Sequence, residues 1–139
     1  MKKGESEKAM ETRILIVDDS DCSAETLEAA LLELRDVRIL RAASGHEAWT
    51  RIQDETVSAV ITDLNMPRMD GFELIERVRA RAATPAIPIV VVSADSAPGI
   101  QEKAMQLGAN AFFVKPYSPA AVRETVEDLL HALQSRDST

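Results

Sequence analysis

The chain has 139 residues, 45% hydrophobic and 28% charged, which suits one globular core and is too short for two ordinary domains. Its 16 basic and 23 acidic residues give a formal charge of −7, which disfavours nucleic-acid binding by this chain alone, and no apolar run reaches the roughly 18 residues a bilayer span requires. The single cysteine, Cys22, excludes an internal disulfide and, with no Cys or His at ligand spacing, a zinc site. The start MKKGESEKAMET carries Lys2 and Lys3 with no apolar stretch behind them, so it is not a secretory signal and the expected compartment is the cytoplasm, with no membrane partner.

Residues 1–12 read as a flexible N-terminal segment, 13–134 as one domain and 135–139 as a polar tail. Within the domain, short aliphatic runs alternate with segments of helical period. Ile14–Val17 reads as a strand, and Leu27, Ala30, Leu31 and Leu34 give the helix after it. Val37–Leu40 precedes a helix through Ala48, Trp49 and Ile52, and Val57–Ile61 precedes one through Phe72, Ile75 and Val78. Ile87–Val92 and Ala111–Val114 are two further strands, followed by helices over Ile100–Leu107 and Val122–Leu133. Ser44 with Glu47 and Asp70 with Glu73 have the spacing of capping boxes, and Ser118 precedes Pro119 at a first helical position. Five such units predict an α/β fold, flavodoxin-like and doubly wound, with a five-stranded parallel sheet in the order 2-1-3-4-5.

Ligands of that fold sit beyond the carboxyl ends of the strands. There the sequence places Asp18 and Asp19 after strand one, Asp63 after strand three, Ser93 after strand four and Lys115 with Pro116 after strand five. Each residue alone has an ordinary explanation as a cap, a turn or a solvated charge; the set at successive strand ends does not. Strands one and three are neighbours in the predicted order, so three carboxylates converge and repel unless a cation joins them. Mg²⁺ suits such oxygen ligands, because it takes one or two carboxylates and keeps positions for water or a phosphate oxygen. A carboxylate beside it can act as a nucleophile toward a phosphoryl group, with Lys115 as a second cation.

The segments ILIVDDS (14–20), ITDLNMPRMDGFEL (61–74), VVVSAD (90–95) and LGANAFFVKPYS (107–118), with their spacing, resemble the CheY-like receiver domain of two-component response regulators, stand-alone type. The resemblance implies phosphorylation on Asp63. It implies a metal site of Asp19 directly, Asp18 mainly through water, Asp63, and the backbone carbonyl of Asn65, filled by Mg²⁺ with Mn²⁺ as a substitute. Lys115 and Ser93 would contact the phosphoryl group, Ala94 would leave access to it, and Phe112 would be the aromatic switch that turns inward as Ser93 moves. Lys115–Pro116 would be a cis peptide, and Pro67 and Gly71 would shape the loop after Asp63. Asn65 and Asp95 lie where side chains tune the lifetime of the phosphoryl group. Trp49 is expected to pack on the core, and His46 and His131 to be solvated.

On this reading the chain is a switch and not an enzyme, although it promotes its own phosphorylation and dephosphorylation. Its partners would be a sensor histidine kinase or a histidine phosphotransfer protein, and a downstream effector docking on the face of helix four, strand five and helix five. A phosphorylation-dependent dimer is compatible with it. The alternatives are a receiver fragment of a hybrid kinase or larger regulator acting as relay or sink, and an aspartyl-phosphate phosphatase. Against the phosphatase, DxDxT is absent; against a nucleotide or flavin site, so are GxxxxGK[ST] and GxGxxG.

Overall fold

A computed structural model describes residues 11–66, 68–84 and 86–137. In chain order the elements are β1 (Thr12–Val17), α1 (Asp21–Leu31), β2 (Val37–Ala42), α2 (Gly45–Asp54), β3 (Ala59–Asp63), α3 (Gly71–Ala80), β4 (Ile89–Ser93), α4 (Ile100–Leu107), β5 (Ala111–Val114) and α5 (Pro119–Asp137). The strands form one parallel sheet ordered β2-β1-β3-β4-β5, the flavodoxin-like arrangement the pattern predicts.

The near-continuous aliphatic strands are explained by the sheet having two covered faces. Successive side chains point to opposite faces, and here each face has its own core. Leu15 and Val17 of β1, Val60 of β3 and Ile89 and Val91 of β4 pack with Ala48, Ile52, Leu74, Ile75, Val78 and Ala104 from α2, α3 and α4. Ile14, Ile16, Ile61, Val90 and Val92 pack on the other side with Leu27 and Leu31 of α1 and Val122 and Val126 of α5. Each large aliphatic buried in this way contributes about 1.5–3 kcal/mol, so loss of any one is felt.

Several boundaries differ from the sequence expectation. β1 begins at Thr12, which pairs with Val37, so that residue belongs to the sheet and not to the flexible segment. Helix α5 continues through residues 135–137, expected as tail, to Asp137. Residues 1–10, Pro67, Pro85 and residues 138–139 lie outside the described set. β3 starts at Ala59 and not at Val57: Val57 is buried but precedes the ladder, and the strand runs on to Asp63 itself. β4 starts at Ile89 because Pro88 has no N–H to donate, although its carbonyl accepts from Val60 at 2.9 Å.

The helix starts follow their caps. The Ser44 hydroxyl accepts the Glu47 N–H at 3.1 Å, but the Glu47 carboxylate accepts from Ala43, one residue before the box position. Asp70 accepts the Glu73 N–H at 2.9 Å, while the Glu73 carboxylate is taken by Arg77, so only half of that box forms. Trp49 is half-buried against the core, with the Arg77 guanidinium 5.9 Å from its ring centroid. His46, His131 and Cys22 are exposed.

Candidate functional site

The parallel register brings the polar strand ends together. Val17 is opposite Thr62, Asp63 opposite Val92 and Ser93 opposite Val114, so Asp18, Asp63, Ser93 and Lys115 all emerge at one edge. Asp18 and Asp63 are each only 7% exposed. Lys115 Nζ donates to Asp63 Oδ2 at 2.8 Å and to Asp18 Oδ2 at 3.4 Å. The second oxygens are held by backbone: Asp18 Oδ1 accepts the Ser20 N–H at 2.9 Å, and Asp63 Oδ1 the Asn65 N–H at 3.1 Å. Both carboxylates are thus fixed in orientation, and one ammonium joins them.

Burial is the largest single influence on the Lys115 ammonium and lowers its pKa. The hydrogen bond and charge of Asp63, followed by the charge and hydrogen bond of Asp18, more than offset it, and the net shift is upward. Lys115 is therefore a fixed positive charge at any physiological pH. Its backbone N–H donates to the Ser93 carbonyl at 2.8 Å, anchoring β5 beside β4, and the Lys115–Pro116 peptide is cis.

The other candidate residues have partners of their own or are exposed, and among the described residues none of them is hydrogen-bonded to the Lys115 ammonium. Asp19 is exposed just after Asp18, and Asn65 is exposed just after Asp63. Ser93 is fully buried, and its hydroxyl accepts the Asp95 N–H at 3.1 Å. Ala94 is exposed, and the Asp95 carboxylate turns to the Ala97 N–H at 3.0 Å, capping the β4–α4 loop. Phe112 is partly buried against the α2–α3–α4 core and lines a groove of about 670 Å³ with Pro98, Met105 and Val114.

Among the described residues no group of three or more His, Cys, Asp or Glu side chains stands ready-made around a metal position. The donor chemistry nevertheless fits a hard dication. The two buried carboxylates of Asp18 and Asp63 face one ammonium, leaving one negative charge uncompensated, and Asp19 follows Asp18 directly in the chain as an exposed residue. Mg²⁺ needs only one or two of them directly, with water completing the octahedron.

Tyr117 is a site neighbour that sequence reasoning passed over, although it stands two residues beyond Lys115. Burial raises its phenol pKa most; the Lys115 charge lowers it and the Asp18 and Asp63 charges raise it, for a net upward shift. With Ser23, Thr26, Pro116 and Pro119 it lines a groove of about 410 Å³ that opens beside Lys115. Ser20 was passed over as well; it caps α1 through its hydroxyl and orients Asp18 through its N–H.

A doubly wound parallel sheet with buried, lysine-bridged aspartates at its switch point defines an acidic-site α/β switch domain. The family model of the response regulator receiver domain matches residues 14–127, and the chain belongs to that family. It is 35% identical over 119 residues to a chemotaxis protein CheY homolog of Campylobacter jejuni, spanning 85% of this chain and 92% of that protein. The chemotaxis response regulator CheY4 of Vibrio cholerae superposes with a TM-score of 0.78 at 28% identity, covering 86% of this chain and 99% of that one. The receiver domain of a Pseudomonas aeruginosa sensor histidine kinase, solved with a magnesium ion coordinated in its active site cleft, gives a TM-score of 0.78 at 25% identity, covering 87% and 98%. Receiver domains are signalling switches of two-component systems and not classical enzymes. Among the described residues no helix is long and apolar enough to cross a membrane.

Proposed function

We propose that this receiver domain is phosphorylated on Asp63 by a histidine kinase or phosphotransfer protein in a Mg²⁺-dependent reaction. The observation that carries this reading is the Lys115 ammonium bridging two buried, backbone-oriented carboxylates at 2.8 and 3.4 Å. Asp18, Asp19, Asp63 and the Asn65 backbone carbonyl would hold the metal, with Mn²⁺ as a substitute. Bound there, the ion supplies positive charge to the oxygens of the transferred group.

A carboxylate oxygen of Asp63 attacks the phosphorus of a phosphohistidine in line. The new O–P bond forms as the N–P bond breaks, and the electron pair leaves on the imidazole. Lys115 then exchanges part of its contact with Asp63 for a phosphoryl oxygen. Ser93 turns its hydroxyl toward the same group, giving up the Asp95 N–H, and Phe112 follows into the vacated space. Ala94 leaves the approach open, and Asn65 and Asp95 tune the lifetime of the product. The face of α4, β5 and α5 carries the output to an effector, and its exposed Met105 and Val114 support that role. The domain acts in the cytoplasm.

Labelling with acetyl phosphate tests the reading: wild-type protein should incorporate phosphate only with Mg²⁺, and Asp63→Asn should incorporate none. Undiminished Mg²⁺-dependent labelling of that variant would sink the assignment. A relay or sink role is the second reading, because the magnesium-bound neighbour belongs to a sensor kinase. Rapid return of the phosphoryl group from the labelled protein to a phosphotransfer histidine would favour it.

A further inference from the structure

The segment between Asp63 and α3 is gripped at two places by glycines. Gly71, the first residue of α3, donates its N–H to the Leu64 carbonyl at 3.0 Å. A Cβ there would lie 2.5 Å from the Asp63 carbonyl oxygen and 2.8 Å from Leu64 Cα. The second grip comes from outside the segment. Gly45, the buried first residue of α2, faces Met69 so closely that an added Cβ would collide with the Met69 carbonyl oxygen and stand 3.0 Å from Met69 Cβ and 3.1 Å from Cγ.

Between these grips the described residues are of two kinds, buried anchors and exposed positions. Leu64, Met66 and Met69 are buried at 3%, 8% and 7% exposure, whereas Asn65 and Arg68 are exposed. Arg68 has a backbone φ of 69°, a left-handed conformation that a non-glycine residue keeps only where its surroundings over-determine it. Asn65, whose N–H holds Asp63 Oδ1 at 3.1 Å, lies between the buried anchors Leu64 and Met66.

We infer that Gly45 is a positioning residue for the metal side of the acidic site: by lacking a side chain it lets the first turn of α2 press on Met69 and hold the backbone of Asn65 against Asp63. This rests on the Mg²⁺ reading above. Any larger residue at position 45 must push the Met69 carbonyl away, and Met69 stands four positions along the chain from Asn65. Partners that orient metal ligands typically govern affinity by 10–100-fold.

The test is calorimetric titration of Mg²⁺ alone into wild-type protein and Gly45→Ala, with thermal melts in EDTA. The expected result is a cooperative melt for Gly45→Ala together with Mg²⁺ binding about 10-fold weaker than wild type. If Gly45→Ala melts cooperatively, even at a lower temperature, and binds Mg²⁺ within about twofold of wild type, the helix contact is only structural and the inference is overturned. If Gly45→Ala shows no cooperative melt, Met69→Ala decides by the same two outcomes, because it removes the side chain that seats the segment on α2. Wild-type protein that takes up no Mg²⁺ overturns the metal reading and the inference together, whereas normal wild-type binding with unchanged variants overturns the inference alone.

Discussion

Lys115 and Asp63, 52 residues apart in the chain, meet at 2.8 Å because β3 and β5 flank β4 in one parallel sheet. The same ammonium reaches Asp18, 97 residues away, at 3.4 Å. Three strand ends are thereby tied by one cation, and the contact lies within a patch where the aspartates are almost wholly withdrawn from water. A single charge there holds two otherwise repelling carboxylates together, so it bears directly on folding stability.

Lys115→Met should expose that dependence. Without the ammonium, two buried carboxylates are left to repel each other, and loss of a partner from a buried ionic cluster is destabilising. We expect unfolding free energy at neutral pH to fall by about 1–3 kcal/mol in EDTA. Added Mg²⁺ should recover part of the loss, since a ligand that binds only the folded state stabilises it. Urea unfolding with and without Mg²⁺ measures both, and equal stability of variant and wild type in EDTA would contradict the bridging role.

Alkaline titration tests the same cluster with a built-in probe, for Tyr117 is the only tyrosine in the chain. Its pKa is raised by burial first, lowered by Lys115, and raised again by Asp18 and Asp63. The tyrosinate absorbance of the native protein should therefore appear above the usual midpoint of about 10. Lys115→Met should move it higher still, and Asp18→Asn lower. A shift in the opposite sense for either variant would place the phenol away from the cluster.

Stability against pH follows from these directions. Lys115 and Tyr117 both bind their protons more tightly in the folded state than in the unfolded one. Their contributions are complete below the unfolded pKa values, about 10.4 and 10, and are lost as pH rises through the higher folded values. Denaturant midpoints should fall above about pH 10, and fall less steeply in Lys115→Met. A wild-type midpoint flat beyond that range would refute the coupling.

Much of this was legible in the sequence because it depends on period and order. Alternating aliphatic runs and helical stripes give the sheet, the strand order follows from five βα units, and polar residues after strands one, three, four and five then have to share an edge. Strand limits were less legible, since burial and ladder pairing are different things: Val57 is buried without pairing, while Thr12 pairs without being deeply buried. The role of Gly45 could not be read at all. Its meaning depends on the distance to Met69, a residue 24 positions away that only the packing of α2 against the loop brings near.

Gly71→Ala should be among the most damaging small changes. The added methyl group has backbone atoms of Asp63 and Leu64 at 2.5 and 2.8 Å, and backbone cannot rotate aside as a side chain can. Overpacking of this kind costs about 1–3 kcal/mol. We expect a lowered melting temperature and, because the displaced atoms belong to Asp63, slower labelling by acetyl phosphate in the protein that remains folded. Labelling at the wild-type rate would show that α3 can move away without disturbing the nucleophile.

Arg68→Gly should do the reverse for stability. Arg68 holds a φ of 69° on the exposed side of the loop, where its side chain has no burial to lose. Left-handed backbone costs an L-residue about 1–2 kcal/mol and costs glycine little, but glycine also gains freedom in the unfolded chain, which returns about 0.5–1 kcal/mol. The difference favours the variant by a few tenths to about 1 kcal/mol, or a rise of a few degrees in melting temperature. Asp36, the other non-glycine residue with positive φ among the described residues, at 56°, makes a control. Aspartate tolerates this region better than arginine, so Asp36→Gly should gain less. If Arg68→Gly melts below wild type, the guanidinium contributes a favourable interaction large enough to outweigh the strain, and the loop is held by more than its buried anchors.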